Sequence, residues 1–170
     1  MENIQNIAGH REAKTKSIRF DIRKGKFSHY VGADKPIEEF DFVTGKLKGI
    51  ALRSSETAGG ELTFMDIYME KDGTRFIVSA IASSSITAEL MSKLCNIRDV
   101  DSELHIEVWA NGNFTNCTVR ENDEKLPYRL LPKAVRKQVG FNTSVDSSER
   151  DAAVIDIIKE LNVRLGYVQG

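Results

Sequence analysis

The stretch FDFVTGKLKGIALR, residues 40–53, decides the fold that we expect for this chain. Its apolar side chains favour a long β-strand, yet Gly45 and Gly49 lie inside it. A glycine inside a strand weakens that strand unless the backbone must bend or bulge there. A strand that belongs to both halves of a small barrel has to bend in this way. The stretch therefore predicts the first strand of a small, closed β-barrel.

Four segments with a two-residue hydrophobic period predict the other strands, and one segment with helical periodicity interrupts them. In chain order these are strands at 62–69 and 75–81, a helix at 83–97, and strands at 103–110 and 114–120. Asn111-Gly112 predicts a tight hairpin turn between the last two strands. Residues 54–60, rich in small side chains, predict a loop after the first strand. We therefore expect a mainly β protein with two helices, built on a five-stranded barrel.

The regions on either side of the barrel divide the chain into three predicted parts. Residues 1–16 are a flexible basic arm, residues 17–139 hold the barrel with an N-terminal hairpin, and residues 140–170 are a linker and an amphipathic helix. The apolar stripe of that helix consists of Val154, Ile158, Leu161 and Leu165. Two interpretations of the stripe stay open. The helix packs on the barrel, or it binds a second copy of the chain or a replication protein.

Composition and motifs argue against several classes of protein. The net charge is -1, so the chain as a whole is not drawn to nucleic acid or membrane. Neither Cys95 nor Cys117 has metal-ligand spacing, and no phosphate loop or nucleophile motif is present. No stretch approaches the roughly 20 apolar residues of a membrane span. We expect a cytoplasmic protein of a bacterium or a phage-infected host, neither an enzyme nor bound to a metal, a cofactor or a membrane.

The alternation of side chains along the predicted strands separates a core face from an outer face. With Asn111-Gly112 as the turn, Trp109 lies opposite Phe114 on the side of the last hairpin that faces away from the core. On the second strand, Phe64 and Tyr68 fall on the outer face by the same rule. Simple sheet packing of the Trp109–Phe114 pair remains an alternative interpretation.

Basic side chains accompany these aromatic rings. Rings stack on bases and cations bind phosphates, so the combination suits a single strand of nucleic acid. The candidate nucleic-acid-binding residues are Lys46, Lys48, Arg53, Phe64, Tyr68, Arg75, Trp109, Phe114 and Arg120.

The layout of strands and four short stretches also carry a family resemblance. The stretches are VTGKLKGI (43–50), DGTRF (72–76), LMSKL (90–94) and WANG (109–112). With the order of three strands, a helix and two strands, the chain resembles OB-fold single-stranded-DNA-binding proteins of small bacteriophages and mobile replicons. The resemblance implies a non-catalytic protein that coats single-stranded DNA, or RNA, in replication or recombination. A protein-interaction or virion-assembly module on the same scaffold stays open as the alternative.

Overall fold

The computed structural model describes residues 18–30, 37–132, 135–139, 142–146 and 148–168. The predicted basic arm, residues 1–16, lies outside the described residues. The described strands are β1 (Ile18–Arg23), β2 (Lys26–Tyr30), β3 (Ile37–Phe40), β4 (Phe42–Thr57), β5 (Gly60–Lys71), β6 (Thr74–Ile81), β7 (Leu104–Asn111), β8 (Phe114–Glu121), β9 (Glu124–Lys125), β10 (Val135–Val139) and β11 (Asn142–Asp146). The described helices are α1 (Ser85–Leu94) and α2 (Ser148–Leu165).

Nine of these strands form one sheet in the order β3-β2-β1-β6-β5-β4-β7-β8-β9, and β10 pairs with β11 in a separate sheet. All neighbours are antiparallel except β1 and β6, which are parallel. Only Asp41 separates β3 from β4, so the strand at one end of the sheet leads directly into its sixth strand. The sheet therefore curls. The β11 strand occupies part of the region predicted as a linker.

The mainly β fold with two helices is confirmed, but the described sheet is not the closed five-stranded barrel that the sequence predicted. Closure would pair β6 with β8, whereas β6 pairs with β1 and β5, and β8 pairs with β7 and β9. The sheet stays open because the edges of β6 and β8 that would pair with each other have other partners. The backbone of β1 pairs with β6, and α1 lies against β6 and β8, where the Lys93 ammonium donates a hydrogen bond to the Cys117 carbonyl.

The β4 strand bends where its glycines predict. Its first part, up to Gly45, pairs with β7, and from Lys46 onward it pairs with β5. The β4–β5 register shifts between Leu47 and Gly49, which marks a β-bulge. A Cβ at Gly45 would lie 3.1 Å from the ring of Phe76, so this close approach of β6 favours glycine. The structure therefore shows that β4 pairs with β7 in its first part and with β5 in the rest, with a bulge next to Gly49.

The β7–β8 turn differs from the prediction by one position. Its two central residues are Gly112 and Asn113, and only Gly112 has a positive φ, as a type II′ turn requires. Trp109 consequently lies opposite Asn116, not opposite Phe114. Trp109 and Phe114 still share one face of the hairpin, because the shift moves each pairing by a whole two-residue period.

The β4–β5 hairpin is longer than predicted. Pairing continues to Thr57 opposite Gly60, so residues 54–60 are mostly strand, not the predicted loop. The small and polar side chains of this region hid the alternation that marks a strand.

The core lies between the inner face of the curled sheet and the helices. Its largest fully buried side chains are Phe27, Ile50, Met65, Ile67, Met69, Leu90, Met91, Leu94, Leu104, Ile106, Ile157 and Leu161. The α2 helix packs against α1 and β4. Of its predicted apolar stripe, Val154, Ile158 and Leu161 are buried and Leu165 is partly buried. The first interpretation of α2, packing on the body of the protein, is what the structure shows.

Candidate nucleic-acid interface

One side of the sheet faces away from the core over β1, β4, β5 and β6. Because successive side chains of a strand point to opposite faces, the buried Met65 and Ile67 leave Phe64 and Tyr68 on this side. Phe64 lies opposite Arg53 of β4. We call this side the outer face. Its members are Arg19, Asp21, Arg23, Lys46, Arg53, Phe64, Asp66, Tyr68, Glu70, Arg75, Ile77, Ser79 and Ile81.

One end of the outer face forms a groove of about 600 Å³, which we call the arginine groove. Its lining includes Arg19, Asp21, Arg23, Arg53, Ser55, Thr57 and Phe64. The Arg53 guanidinium lies over the Phe64 ring, with Cζ 4.8 Å from the ring centroid. This is a cation–π contact. A ring and a cation are therefore held together in a concave part of the surface.

A buried carboxylate organises the arginines of this groove. Asp66 is 1% exposed. Arg19 Nη1 donates to Asp66 Oδ1 at 3.0 Å, and Arg53 Nε donates to Oδ2 at 2.8 Å. The Ser79 hydroxyl donates to Oδ1 at 2.6 Å and accepts from Arg19 Nη1 at 2.5 Å. Side chains from β1, β4 and β6 thus converge on one carboxylate of β5.

Asp21 lines the arginine groove and Asp66 binds two of its arginines, and the pKa values of these two acids are shifted in opposite directions. Burial alone would raise the pKa of Asp66, but hydrogen bonds from Arg53 and Ser79 and the charge of Arg19 hold it below its ordinary value. Burial raises the pKa of Asp21, and the charges of the neighbouring arginines do not offset this effect. Asp66 is therefore a firmly ionised partner of two arginines, whereas Asp21 is an acid that its surroundings disfavour as an anion.

The other end of the outer face forms a second groove, of about 450 Å³, which we call the tyrosine groove. Lys48, Tyr68, Glu70, Arg75, Ile77 and Tyr167 are among the residues that line it. The rings of Tyr68 and Tyr167 lie 5.8 Å apart between centroids and are tilted by 34°. Burial raises the pKa of Tyr167, with a further contribution from Tyr68. Two rings and two cations therefore meet in this groove.

The end of α2 directs Tyr167 onto the sheet. Gly166 has φ +67°, its N–H donates to the Val163 carbonyl at 3.2 Å, and the Tyr167 N–H donates to the Asn162 carbonyl at 2.9 Å. This pair of bonds is a Schellman motif, which reverses the chain after a helix. The Tyr167 ring lies against Gly49, where a Cβ would come within 2.4 Å of ring atoms. A glycine in β4 therefore makes room for the ring.

The structure brings some of the predicted site residues together and separates others. Arg53 contacts Phe64, and Lys48, Tyr68 and Arg75 line one groove. Lys46 is exposed on the same face, opposite Glu70.

The remaining three predicted residues lie on the β7–β8 hairpin. Trp109 is 42% exposed and Phe114 is 56% exposed, while Arg120 lies opposite His105. Phe114 lines a separate groove with Tyr128 and Leu130, which we call the apolar groove. Among the described residues, none lines both this groove and either groove of the outer face.

Sequence reasoning did not assign Arg19, Arg23 or Tyr167, which line the outer-face grooves, or Asp66, which binds two of the arginines. The first two carried a usable signal, because Arg19, Asp21 and Arg23 alternate with apolar residues in β1 and so share one face. The alternation along β5 places Asp66 on the outer face with Phe64 and Tyr68, but it does not show that Asp66 binds arginines of other strands. For Tyr167 the only signal in the sequence is the preceding glycine, which marks the end of the helix.

The described residues hold little that points to other chemistry. Among them, no group of three or more His, Cys, Asp or Glu side chains could hold a metal ion. Burial raises the pKa of Cys117 to about 12 and also raises that of Cys95. In the ranges covered by the structure, no helix has the length and apolar character needed to cross a bilayer.

Comparison of the chain with protein-family models, with curated proteins and with solved structures finds no match in any of the three.

Proposed function

We propose that this protein binds single-stranded nucleic acid through its outer face and catalyses no reaction. The observation that carries the proposal is the repetition of one arrangement at both ends of this face. Arg53 lies on the Phe64 ring in the arginine groove, and Lys48 and Arg75 flank Tyr68 and Tyr167 in the tyrosine groove. Such alternation of rings and cations suits bases and phosphates of an extended strand.

The spacing of the two grooves suits a strand of nucleic acid that runs along β5. Phe64 and Tyr68 are four residues apart on β5, or about 13 Å at about 3.3 Å per residue. Each ring can stack on a base of any identity, because every base has a π-face. The proposal is therefore sequence-tolerant binding, as required of a protein that coats single-stranded DNA, or RNA, during replication or recombination.

The charges of the outer face support the same proposal. In the part of the chain that the structure describes, six basic side chains lie on or beside it: Arg19, Arg23, Lys46, Lys48, Arg53 and Arg75. The nearby acids are Asp21, Asp66 and Glu70, so the face carries an excess of positive charge although the whole chain does not. The consecutive antiparallel strands β4, β5 and β6 also match the first three strands of the OB-like layout. Binding that neutralises phosphates weakens steeply as salt rises.

The proposal is tested by fluorescence anisotropy of a labelled oligo-dT of about 16 nucleotides, titrated with the full chain at low and high salt. We expect micromolar or tighter binding that weakens as salt rises. Phe64→Leu and Tyr68→Leu keep apolar bulk but remove a ring, and each should lower the affinity by about 5-fold or more.

Trp109→Leu is the matched control, because it removes an exposed ring from the β7–β8 hairpin. Its affinity should stay within about twofold of the original. If Trp109→Leu loses binding and Phe64→Leu does not, the hairpin and not the outer face is the binding surface. If the folded original chain binds no oligonucleotide, the proposed function is wrong.

One observation favours the alternative of a protein-interaction or virion-assembly module. Phe114, Tyr128 and Leu130 are all more than half exposed and line the apolar groove beside α1 and Arg150. Exposed apolar clusters of this kind are typical of protein-binding surfaces. A contact made by this groove, with a second copy or a replication protein, would be insensitive to salt, which distinguishes it from binding of nucleic acid.

A further inference from the structure

The position of Asp66 is unexpected for a surface that binds nucleic acid. Its carboxylate lies in the middle of the outer face, and its charge would repel a phosphate if it acted alone. Yet the structure surrounds this carboxylate with donors. Arg19 Nη1 at 3.0 Å and Arg53 Nη2 at 3.4 Å approach the same atom, Oδ1. Asp66 therefore holds two guanidinium groups together that would otherwise repel each other.

Each of the two arginines has N–H groups that do not bind Asp66 or Ser79. A guanidinium has five N–H groups in a planar fork. Arg53 uses Nε and Nη2 on Asp66, and Arg19 uses Nη1 on Asp66 and Ser79. Within the described ranges, the other side-chain N–H groups of both arginines have no hydrogen-bond partner. Both side chains are more than one third exposed and line the arginine groove.

We propose that Asp66 is a positioning residue that fixes Arg19 and Arg53 as a two-guanidinium clamp for one phosphodiester group of the bound strand. The proposal rests on the function proposed above and extends it. Arginine suits this role because its planar fork matches the oxygens of a phosphate. The Arg53 contact with Phe64 places the stacking ring directly beside the clamp.

Asp66→Asn distinguishes a pure charge effect from positioning of the arginines, because the two predict opposite changes in the affinity for oligo-dT. If Asp66 acts only through its charge, removing that charge makes the outer face more positive, and oligo-dT binds more tightly. If Asp66 positions the arginines, the amide cannot hold both guanidiniums, and the affinity falls. We expect a loss of about tenfold. The dependence of log affinity on log salt should become less steep, with the magnitude of its negative slope smaller by about one, because one phosphate contact is lost.

Asp21→Asn is the matched control. It removes one carboxylate from the same outer face, and no side-chain hydrogen bond joins Asp21 to either arginine among the described residues. Simple electrostatics then applies, and oligo-dT should bind about twofold more tightly. Asp66→Asn binding that equals or exceeds that of the original chain overturns the clamp while leaving the proposed function intact.

Two further variants decide the matter if Asp66→Asn does not fold. Arg53→Lys keeps the charge but loses the fork, and Ser79→Ala removes the hydroxyl between Arg19 and Asp66. Both should weaken oligo-dT binding in a chain with an unchanged circular dichroism spectrum. Original affinity in both would overturn the clamp.

A probe other than nucleic acid separates this inference from the proposed function. Inorganic pyrophosphate is titrated into the full chain, and the Arg53 Nε–H resonance is followed by NMR. The clamp predicts a saturable shift in the original chain and none in Asp66→Asn. If oligo-dT does not bind at all but pyrophosphate moves this resonance, the proposed function is wrong, and Asp66 positions the two arginines for a phosphate group of a ligand other than a nucleic-acid strand. If oligo-dT binds but neither it nor pyrophosphate moves the resonance, the clamp is wrong.

Discussion

The side-chain amide of Asn162 forms with Ile50 both hydrogen bonds that a neighbouring strand would form. Asn162 Nδ2 donates to the Ile50 carbonyl at 2.8 Å, and the Ile50 N–H donates to Asn162 Oδ1 at 2.9 Å. Ile50 lies beyond the point at which β7 stops pairing with β4. A single residue of α2 therefore replaces the missing strand and fixes the helix, and with it Tyr167, against the sheet.

Asn162→Ala should destabilise the protein. It would leave a buried N–H and a buried carbonyl of Ile50 without partners, because Ile50 is fully buried. We expect a loss of about 2–3 kcal/mol in the free energy of unfolding, measured by urea denaturation. Val163→Ala, at a strongly exposed neighbouring position, should change it by less than about 0.5 kcal/mol. Equal stability of Asn162→Ala and the original chain would mean that water replaces the amide without cost.

Gly49→Ala should displace Tyr167 from the sheet, because the new methyl group would lie 2.4 Å from ring atoms. We expect a loss of about 1–3 kcal/mol in the free energy of unfolding. In the background of Tyr167→Ala the same change should cost much less, and a double-mutant cycle measures that coupling.

Gly59→Ala is the control for Gly49→Ala, since the nearest atom to its added Cβ, Thr57 Oγ1, is 4.0 Å away. Its stability should remain within about 0.5 kcal/mol of the original. Additive effects of Gly49→Ala and Tyr167→Ala would contradict the assigned contact.

The order of the central strands could be predicted from the sequence because it depends on local patterns. Two-residue periodicity marks β5, β6, β7 and β8, and Gly45 marks the bend of β4. The pairing of β6 could not be predicted in this way. Its parallel neighbour β1 is more than 50 residues away in the chain, and hydrophobic periodicity shows which face is buried but not which edge is paired.

The arginine groove illustrates the same limit at the level of a site. Arg53 and Phe64 were predictable as outer-face residues of adjacent strands. Arg19 joins them only because β1 pairs with β6, which brings its side chain to Asp66 across 47 positions of sequence.

The prediction of the turn between β7 and β8 was wrong for a different reason. Both Asn111-Gly112 and Gly112-Asn113 place Gly112 at a position of positive φ, so the sequence alone fits either register.

Stability should depend on Asp66 and Asp21 in opposite ways as pH changes. The pKa of Asp66 is below its ordinary value of 3.8 in the folded chain, so ionised Asp66 stabilises the fold above that pH. This stabilisation is lost as pH falls through the lower folded pKa. Asp66→Asn should therefore lose stability at neutral pH and differ less from the original at about pH 3.

For Asp21 the dependence of stability on pH is reversed. Its folded pKa is raised above 3.8, so the protonated form favours the fold, and that contribution disappears as pH rises through the folded pKa. Asp21→Asn should be more stable than the original at neutral pH, with a difference that shrinks below the ordinary pKa. Urea denaturation across this pH range measures both variants. Parallel pH profiles for the two would contradict the opposite shifts.

Both cysteines should resist alkylation while the protein is folded. Burial raises the pKa of Cys117 to about 12 and also raises that of Cys95, so at about pH 8 neither side chain is significantly a thiolate, the form that reacts. Iodoacetamide should modify both within minutes in urea and neither in the native chain over the same time, as measured by mass spectrometry.

Asn162→Ala offers a sharper comparison, because loosening α2 exposes α1, on which α2 packs. In that variant Cys95, which follows α1 directly, should react before Cys117 in β8. Equal native rates for the two cysteines in Asn162→Ala would mean that opening of the chain is global and does not begin at the helix.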